Sequence, residues 1–432
     1  MTNPEPQPAK SYSIFQLFGQ RKMAALALLG FASGLPLFLT ERTLQAWMTK
    51  SNVDLTTIGL FALVTLPYTL KFLWAPFMDR YVPPILGRRR GWLLITQILL
   101  LISIFAMSLH DPTRGLQLLA FNAVLIAFFS ASQDIVGDAY RTDVLREREM
   151  GAGAAMWVVG YRVALIVTGS FAFIMADRIG WPAVYMALSA LMLVGIAADF
   201  FAPEPVLRDA PPQSLTDAVV LPFKEFFQRS GFGTGLFILV FIVLYRYADW
   251  LAQTMATPFF LQTGFSQTEV GVVVGGIGLA ATIVGVLIGG VVIAKIGLNK
   301  SLWVVLGVQA ITNLMYYMLA LQGKSTAMLT SAIVIENLAY GLVTASLLGY
   351  LMSVCNKRFS ATQFALLSSL AAASRSIIVA PAGKWAEMMG WPTFFLFTIA
   401  MALPALVMLP WIAPWSGEAP RGAAEHSGET TD

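Results

Sequence analysis

Ionisable and amide side chains recur inside stretches of this sequence that are otherwise too apolar to hold them. Gln133, Asp134 and Asp138 share one such stretch. Glu41 and Arg42 share another. Lys71, Arg162, the pair Arg246 and Asp249, the pair Glu336 and Asn337, and Arg375 occupy five more. A charge at the centre of a membrane helix costs about 2.5–3.5 kcal/mol on insertion scales, so each needs a partner or a wet cavity. Two chemistries follow. Arginines can hold an anionic substrate through two-pronged hydrogen bonds to its carboxylates. Carboxylates can take up and release a proton, because burial favours their neutral form and a nearby cation favours the charged one. Asp134, Asp138 and Glu41 are the candidates for proton coupling. Gln133, Arg42, Lys71, Arg162, Arg246, Asp249, Glu336, Asn337 and Arg375 are the candidates for substrate binding.

Spacing sharpens some of these assignments and leaves others open. Asp134 and Asp138 are four apart and share a helical face, with Gln133 about 100° round from it. Asp138 reads equally as a gate residue paired with Arg141. Arg246 and Asp249, three apart, either serve a ligand or neutralise each other. Arg162 and Arg375 either face a cavity or play symmetric structural roles. Tyr68, Tyr161, Tyr245, Tyr247 and Tyr340 lie in or beside the charged segments, where a ring can stack on a sugar or simply pack between helices. Other chemistry is poorly provided for. The two histidines, His110 and His426, are far apart, and Cys355 stands alone, so no metal site, cofactor site or enzyme centre is expected. The net charge of +4 is no sign of nucleic-acid binding.

Such residues must be positioned by membrane helices. The chain of 432 residues is 57% hydrophobic and 12% charged, with a mean hydropathy of +0.70. Soluble domains carry about 25% charged residues, so the bilayer is the expected solvent. Twelve spans are expected, at 24–47, 56–78, 92–110, 116–140, 152–175, 182–201, 233–261, 268–294, 301–321, 327–352, 361–383 and 392–412. The polar N-terminus has no cleavable signal pattern, so span one is expected to be retained. With the N-terminus inside, 18 basic residues fall in cytoplasmic segments, 5 in outside loops and 5 in spans, which predicts both termini in the cytoplasm. The segment 203–232 is rich in proline and reads either as a flexible linker or, around Val219, Val220, Phe223, Phe226 and Phe227, as a surface-lying helix. Residues 416–432 are expected to be a disordered tail.

The chain also repeats itself at an offset of roughly 210 residues. Asp177-Arg-Ile-Gly-Trp-Pro182 follows span five, and Glu387-Met-Met-Gly-Trp-Pro392 follows span eleven. Asp54 and Ser266 stand at equivalent helix starts as N-caps. Arg162 answers Arg375, and the basic loop 141–148 answers Asn356-Lys-Arg358. An all-α fold of two six-helix halves is expected, 1–202 and 233–415, with the site at mid-membrane between them. This is the major facilitator architecture. Asp79-Arg80 followed by Gly87-Arg-Arg-Arg90 resembles the loop that latches helices on the cytoplasmic side in that family. Plain positive-inside anchoring is the other reading.

Longer motifs carry a closer resemblance. Phe31-Ala-Ser-Gly-Leu-Pro36, Lys71-Phe-Leu-Trp-Ala-Pro76, Ser132-Gln-Asp-Ile-Val136, Asp138-Ala139 and Thr142-Asp143 are similar to the AmpG-type muropeptide permeases of Gram-negative inner membranes. The likeness is strongest over 24–202. Acetyl-coenzyme A transporters share similar first and second spans, so the stretch in span four is the most specific part. The resemblance implies a monomeric, proton-driven symporter. It would import N-acetylglucosaminyl-1,6-anhydro-N-acetylmuramic acid and its peptides from periplasm to cytoplasm. Such import feeds peptidoglycan recycling and, in some bacteria, β-lactamase induction. It points at Gln133, Asp134 and Asp138 as functional positions. The alternative is a facilitator for another organic anion or a drug.

Overall fold

The computed structural model describes residues 18–40, 42–53, 57, 61–205, 214–379 and 381–415. Glu41, Asp54 and the tail 416–432 lie outside these residues, as does 206–213. The side chains of Arg42 and Arg375 are likewise not described. Among the described residues there are helices and no strand. Ten helices are long and apolar enough to cross a bilayer: Arg21–Lys50, Gly87–Met107, Leu116–Val144, Glu147–Ile179, Trp181–Phe201, Phe232–Gln262, Gly271–Ile296, Leu298–Gln322, Thr326–Val354 and Trp391–Ile412. These are spans one, three to ten, and twelve. Two broken helical runs, 61–80 and 360–389, stand where spans two and eleven are expected.

The breaks have local causes. Proline lacks the N–H that a helix interior needs, so it starts segments rather than continuing them. Pro67 and Pro76 open two short segments of span two, and Pro381 precedes the restart of span eleven at Ala382. Span seven breaks at Tyr245–Arg246 and span nine at Asn313, with no proline at either joint. The repeated Gly-Trp-Pro motif has one backbone signature in both places. Gly180 and Gly390 take φ of +77° and +73°, and the following helix starts at Trp181 or Trp391 with proline next. Ser266 forms the anticipated cap. Its Oγ accepts from the Glu269 N–H at 3.1 Å, while Glu269 Oε2 accepts from the Ser266 N–H at 2.7 Å.

Lipid tails give helices no hydrophobic reason to associate, so close backbone approach through small residues does that work. Spans one and five cross at Gly30, Gly34 and Gly160. A Cβ on Gly34 would come within 2.7 Å of the Tyr161 carbonyl oxygen. In the second half the equivalent contact joins spans eight and ten, where a Cβ on Gly341 would lie 2.5 Å from the Thr282 carbonyl oxygen.

The segment between the halves contains a helix, Leu215–Ser230. Ser214 caps it by accepting from the Asp217 N–H at 3.0 Å. Val219, Val220 and Phe223 face outward, while Ala218 and Phe226 are buried. The helix is tied to the second half. Glu225 accepts from Gln363 Nε2 at 2.7 Å and Asn356 Nδ2 at 3.1 Å, and Arg229 donates to the Val354 carbonyl at 2.6 Å.

The two halves meet at the end of the bundle that carries the basic loops 81–90, 145–149 and 355–359. There spans five and eight touch through glycine: a Cβ on Gly290 would sit 2.9 Å from the Gly151 carbonyl oxygen and 3.0 Å from Ala155 Cβ. Span eleven packs against spans two and four at the same end. At the opposite end the ion pairs Lys50–Asp177 and Lys324–Glu269 each join parts of a single half.

Candidate functional site

Span four carries a column of charge that runs from mid-depth to the basic-loop end. At its top, Asp134 accepts a short hydrogen bond from Ser33 of span one. One turn on, Asp138 is shared by two cations. Lys71 Nζ of span two lies 3.4 Å from Oδ2, and Arg141 of the same helix binds Oδ1. The Arg141 guanidinium then lies 4.9 Å above the Trp157 ring of span five and 5.4 Å above the Phe364 ring of span eleven. Sharing a buried charge among partners and aromatic faces offsets its desolvation.

The column ends in a gate. Arg89 is fully buried and reaches three groups: Asp143 Oδ2 at 2.6 Å, Asp79 Oδ1 at 2.9 Å and Ser360 Oγ at 2.7 Å. Asp79 Oδ2 in turn accepts from both the N–H and the Oγ1 of Thr362, each at 2.8 Å. Ser360 and Thr362 are in the first turn of Ser360–Ile378. A carboxylate from span two therefore caps the N-terminus of span eleven across the seam, where the orphan N–H groups and the helix dipole favour an anion. Behind the gate, Arg90 and Arg21 donate to the last carbonyls of span six, at Asp199 and Phe201, at 2.7 and 2.6 Å. Glu204, beyond that helix, stands beside the backbone N–H groups of Arg89 and Arg90, and its burial lifts it above the ordinary carboxylate range. Gly87 makes this contact possible, because at φ +77° it leaves room for the Glu204 carboxylate that a Cβ would fill.

A second group of charges faces the seam from the other half. Arg246, at the joint of span seven, binds Asp249 Oδ2 at 3.0 Å and lies 4.5 Å from the Tyr340 ring centroid. Gln253 holds the other Asp249 oxygen at 2.9 Å. Arg162 of span five is the further cation acting on the Tyr340 hydroxyl. Arg162, Arg246 and Tyr340 are all partly exposed. A guanidinium against a phenol at mid-depth, with Arg162 of the other half within electrostatic reach, can grip a carboxylate and stack a sugar face.

The remaining expected residues are placed differently. Lys71 is 9% exposed and engaged with Asp138. Gln133 is fully enclosed, and neither of its amide atoms has a partner. Asn337 accepts from Thr282 Oγ1 at 3.0 Å, which ties span ten to span eight. Glu336 is 3% exposed and turned towards span nine inside the second half.

A family model, the Major Facilitator Superfamily, matches residues 26–379. The chain belongs to that superfamily. Within it, the chain is 47% identical over 401 residues to the anhydromuropeptide permease of Escherichia coli strain K12, covering 92% of this chain and 81% of the relative. That identity bears out the resemblance to the AmpG-type permeases. Solved facilitator structures agree on the fold. A proton:xylose symporter bound to 6-bromo-6-deoxy-D-glucose superposes with a TM-score of 0.65 at 11% identity, over 93% of this chain and 97% of that one. A human organic anion transporter gives 0.61 at 16% identity, over 92% and 100%.

Sequence reasoning found the intramembrane charges of this facilitator and their partners on the same helix but missed those on other helices. Ser33 lay unremarked inside a quoted motif, and Ser360 and Thr362 carry no signal beyond being small hydroxyls at a helix start. Gln309, Thr312 and Asn313 of span nine were legible as a polar stripe at i, i+3 and i+4 in an otherwise apolar helix.

Proposed function

We propose that this protein is a proton-driven symporter of the bacterial inner membrane that imports anhydro-muropeptides from periplasm to cytoplasm for peptidoglycan recycling. What carries the reading is the 47% identity, across 92% of the chain, to an anhydromuropeptide permease. The site supports it. The ligand is a carboxylated sugar, and Arg162, Arg246 and Tyr340 offer two guanidinium forks and an aromatic face.

In this reading both termini lie in the cytoplasm, by the basic bias of the loops. The end sealed by Arg89, Asp79 and Thr362 is then the cytoplasmic one, and this conformation opens to the periplasm. The halves 1–202 and 233–415 rock about the seam as a monomer. The muropeptide enters from the periplasmic side and binds between Arg162 and Arg246. Asp134 and Asp138 take part in coupling, since each changes its balance of partners if span two or span one moves relative to span four.

The test is transport by the purified protein in vesicles, with labelled N-acetylglucosaminyl-1,6-anhydro-N-acetylmuramic acid under an imposed pH gradient. Accumulation is expected. Movement of a different anion or a drug, with none of the anhydro-disaccharide, would overturn the substrate. Uptake indifferent to the gradient would overturn the proton coupling.

A further inference from the structure

Like Asp134 and Asp199, Glu336 is a carboxylate of the membrane interior without an ion pair among the described residues, but Lys71 lies near Asp134 and Arg90 near Asp199, whereas no cation lies near Glu336. Asp138 is shared by Lys71 and Arg141, Asp79 and Asp143 share Arg89, and Asp249 has Arg246. Glu336 forms no ion pair among the described residues. Its hydrogen-bond partners are neutral and come from the broken span nine. Gln309 Nε2 lies 3.3 Å from Oε2. The Asn313 amide, were its nitrogen turned to the carboxyl, would donate to the two oxygens at 3.2 and 3.3 Å, and the Thr312 hydroxyl faces the same group. The charged neighbour is Asp249 of span seven, which carries the same sign and is itself held by Arg246 and Gln253. The phenols of Tyr316 from span nine and of Tyr340, one turn away on span ten, are the other titratable groups nearby. Arg246 faces Tyr340 and Asp249.

A second observation concerns Gln309. It is 2% exposed, its Nε2 faces Glu336, and its Oε1 is buried without a partner. An amide that offers N–H to one carboxyl oxygen and a free carbonyl beside it is the complement of a protonated carboxyl, whose O–H donates where a carboxylate cannot. A proton on Glu336 would remove an uncompensated charge from a site with no cation, and with the Gln309 amide turned about would give its oxygen a donor.

We propose that Glu336 is a proton-binding site of the second half, carrying the transported proton in this conformation as a carboxyl group paired with Gln309. Release needs a compensating charge. A swing of the Arg246 side chain at the joint of span seven, so that its guanidinium bridges Asp249 and Glu336, would supply it. The proton then passes to water, leaving the carboxylate paired with Arg246. This inference rests on the proton-driven reading above.

The test separates the two claims. Wild-type protein and Glu336→Gln, which mimics the protonated acid, are reconstituted and given the labelled anhydro-disaccharide. Glu336→Gln is expected to exchange labelled for unlabelled sugar across the membrane while losing pH-driven accumulation, so that inside and outside concentrations merely equalise. Accumulation by Glu336→Gln at the wild-type level would overturn the inference. A wild type that ignores the gradient would instead overturn the proton-driven reading. An infrared spectrum of the wild type gives a measurement that survives poor folding of the variant. At neutral pH it is expected to contain the carbonyl band of a buried, protonated carboxyl, displaced in Gln309→Leu. Absence of such a band from the wild type would also overturn the inference.

Discussion

Replacing Thr362 by valine removes one hydroxyl from the gate and leaves its shape nearly unchanged. The hydroxyl donates to Asp79 Oδ2 at 2.8 Å, and both residues are at most 1% exposed. A hydrogen bond to a charged group contributes about 1.5–3 kcal/mol. The bond crosses the seam between spans two and eleven, so it exists only while this end is closed; once open, water takes its place on both sides. The whole loss therefore falls on the closed conformer and shifts the equilibrium towards opening by roughly tenfold to a hundredfold. The protein carries its own reporter. Cys355, the single cysteine, is buried at the gate, where burial pushes its thiol well above the ordinary range and keeps it unreactive. In inside-out vesicles, an impermeant thiol reagent is expected to label Cys355 faster in Thr362→Val than in wild type. Thr362→Ser, which keeps the hydroxyl, should label at the wild-type rate. Equal labelling of wild type and Thr362→Val would refute the view that the Asp79 cap holds span eleven closed.

Other perturbations test other parts of the site. Asp134→Asn should impair pH-driven uptake more than binding of the anhydro-disaccharide, measured by equilibrium binding and vesicle uptake on the same preparation; unchanged uptake removes Asp134 from coupling. Arg246→Ala should weaken substrate binding at least about tenfold and also lower expression, since Asp249 loses the guanidinium at 3.0 Å and removing one partner of a buried pair costs about 3–5 kcal/mol. The double change with Asp249→Asn should recover expression but not binding, and recovered binding would show that Arg246 only neutralises Asp249. Gly290→Leu should force spans five and eight apart at Gly151, with overpacking of about 1–3 kcal/mol relieved by opening, seen as faster Cys355 labelling. Glu204 tests the pH dependence of the fold. Burial holds it above the ordinary value of 4.5, so the folded chain keeps that proton longer than the unfolded chain, and stability is lost as pH rises from 4.5 through the folded value. Melting of Glu204→Gln in detergent should lack that decline.

What the sequence disclosed here follows from how little a bilayer tolerates. Charges in apolar stretches were visible because each is costly, and pairs three residues apart, such as Arg246 with Asp249 and Asp138 with Arg141, were visible because helix geometry forces them together. Partners distant in the chain were not visible. Lys71 meets Asp138 across 67 residues, Ser33 meets Asp134 across 101, and Thr362 meets Asp79 across 283. No local rule carries such pairings; they depend on which helices the glycine contacts bring together. The joints at Arg246 and Asn313 were hidden for another reason. Neither has a proline, and each is broken where polar side chains gather from neighbouring spans. Asn337 shows the limit of reasoning by residue type. It looked like a ligand group and is engaged in holding span ten to span eight.

The gate also explains how a buried charge cluster can open without prohibitive cost. Separating two charges inside a low-dielectric interior leaves each uncompensated, and removing one partner of a buried pair costs about 3–5 kcal/mol. In this protein the ion pairs of the cluster, Arg89 with Asp79 and Asp143, lie wholly within spans two, three and four of one half. Among the described residues, the hydrogen bonds of this cluster across the seam go to the hydroxyls of Ser360 and Thr362 and to the Thr362 N–H. Rocking of the halves would break the crossing hydrogen bonds, which water can replace, and would leave every charge in the cluster with its partner. Salt bridges placed across the seam would have made the closed state a trap. Salt bridges kept to one side leave a seam held by hydrogen bonds, which a ligand that prefers the open state could reverse.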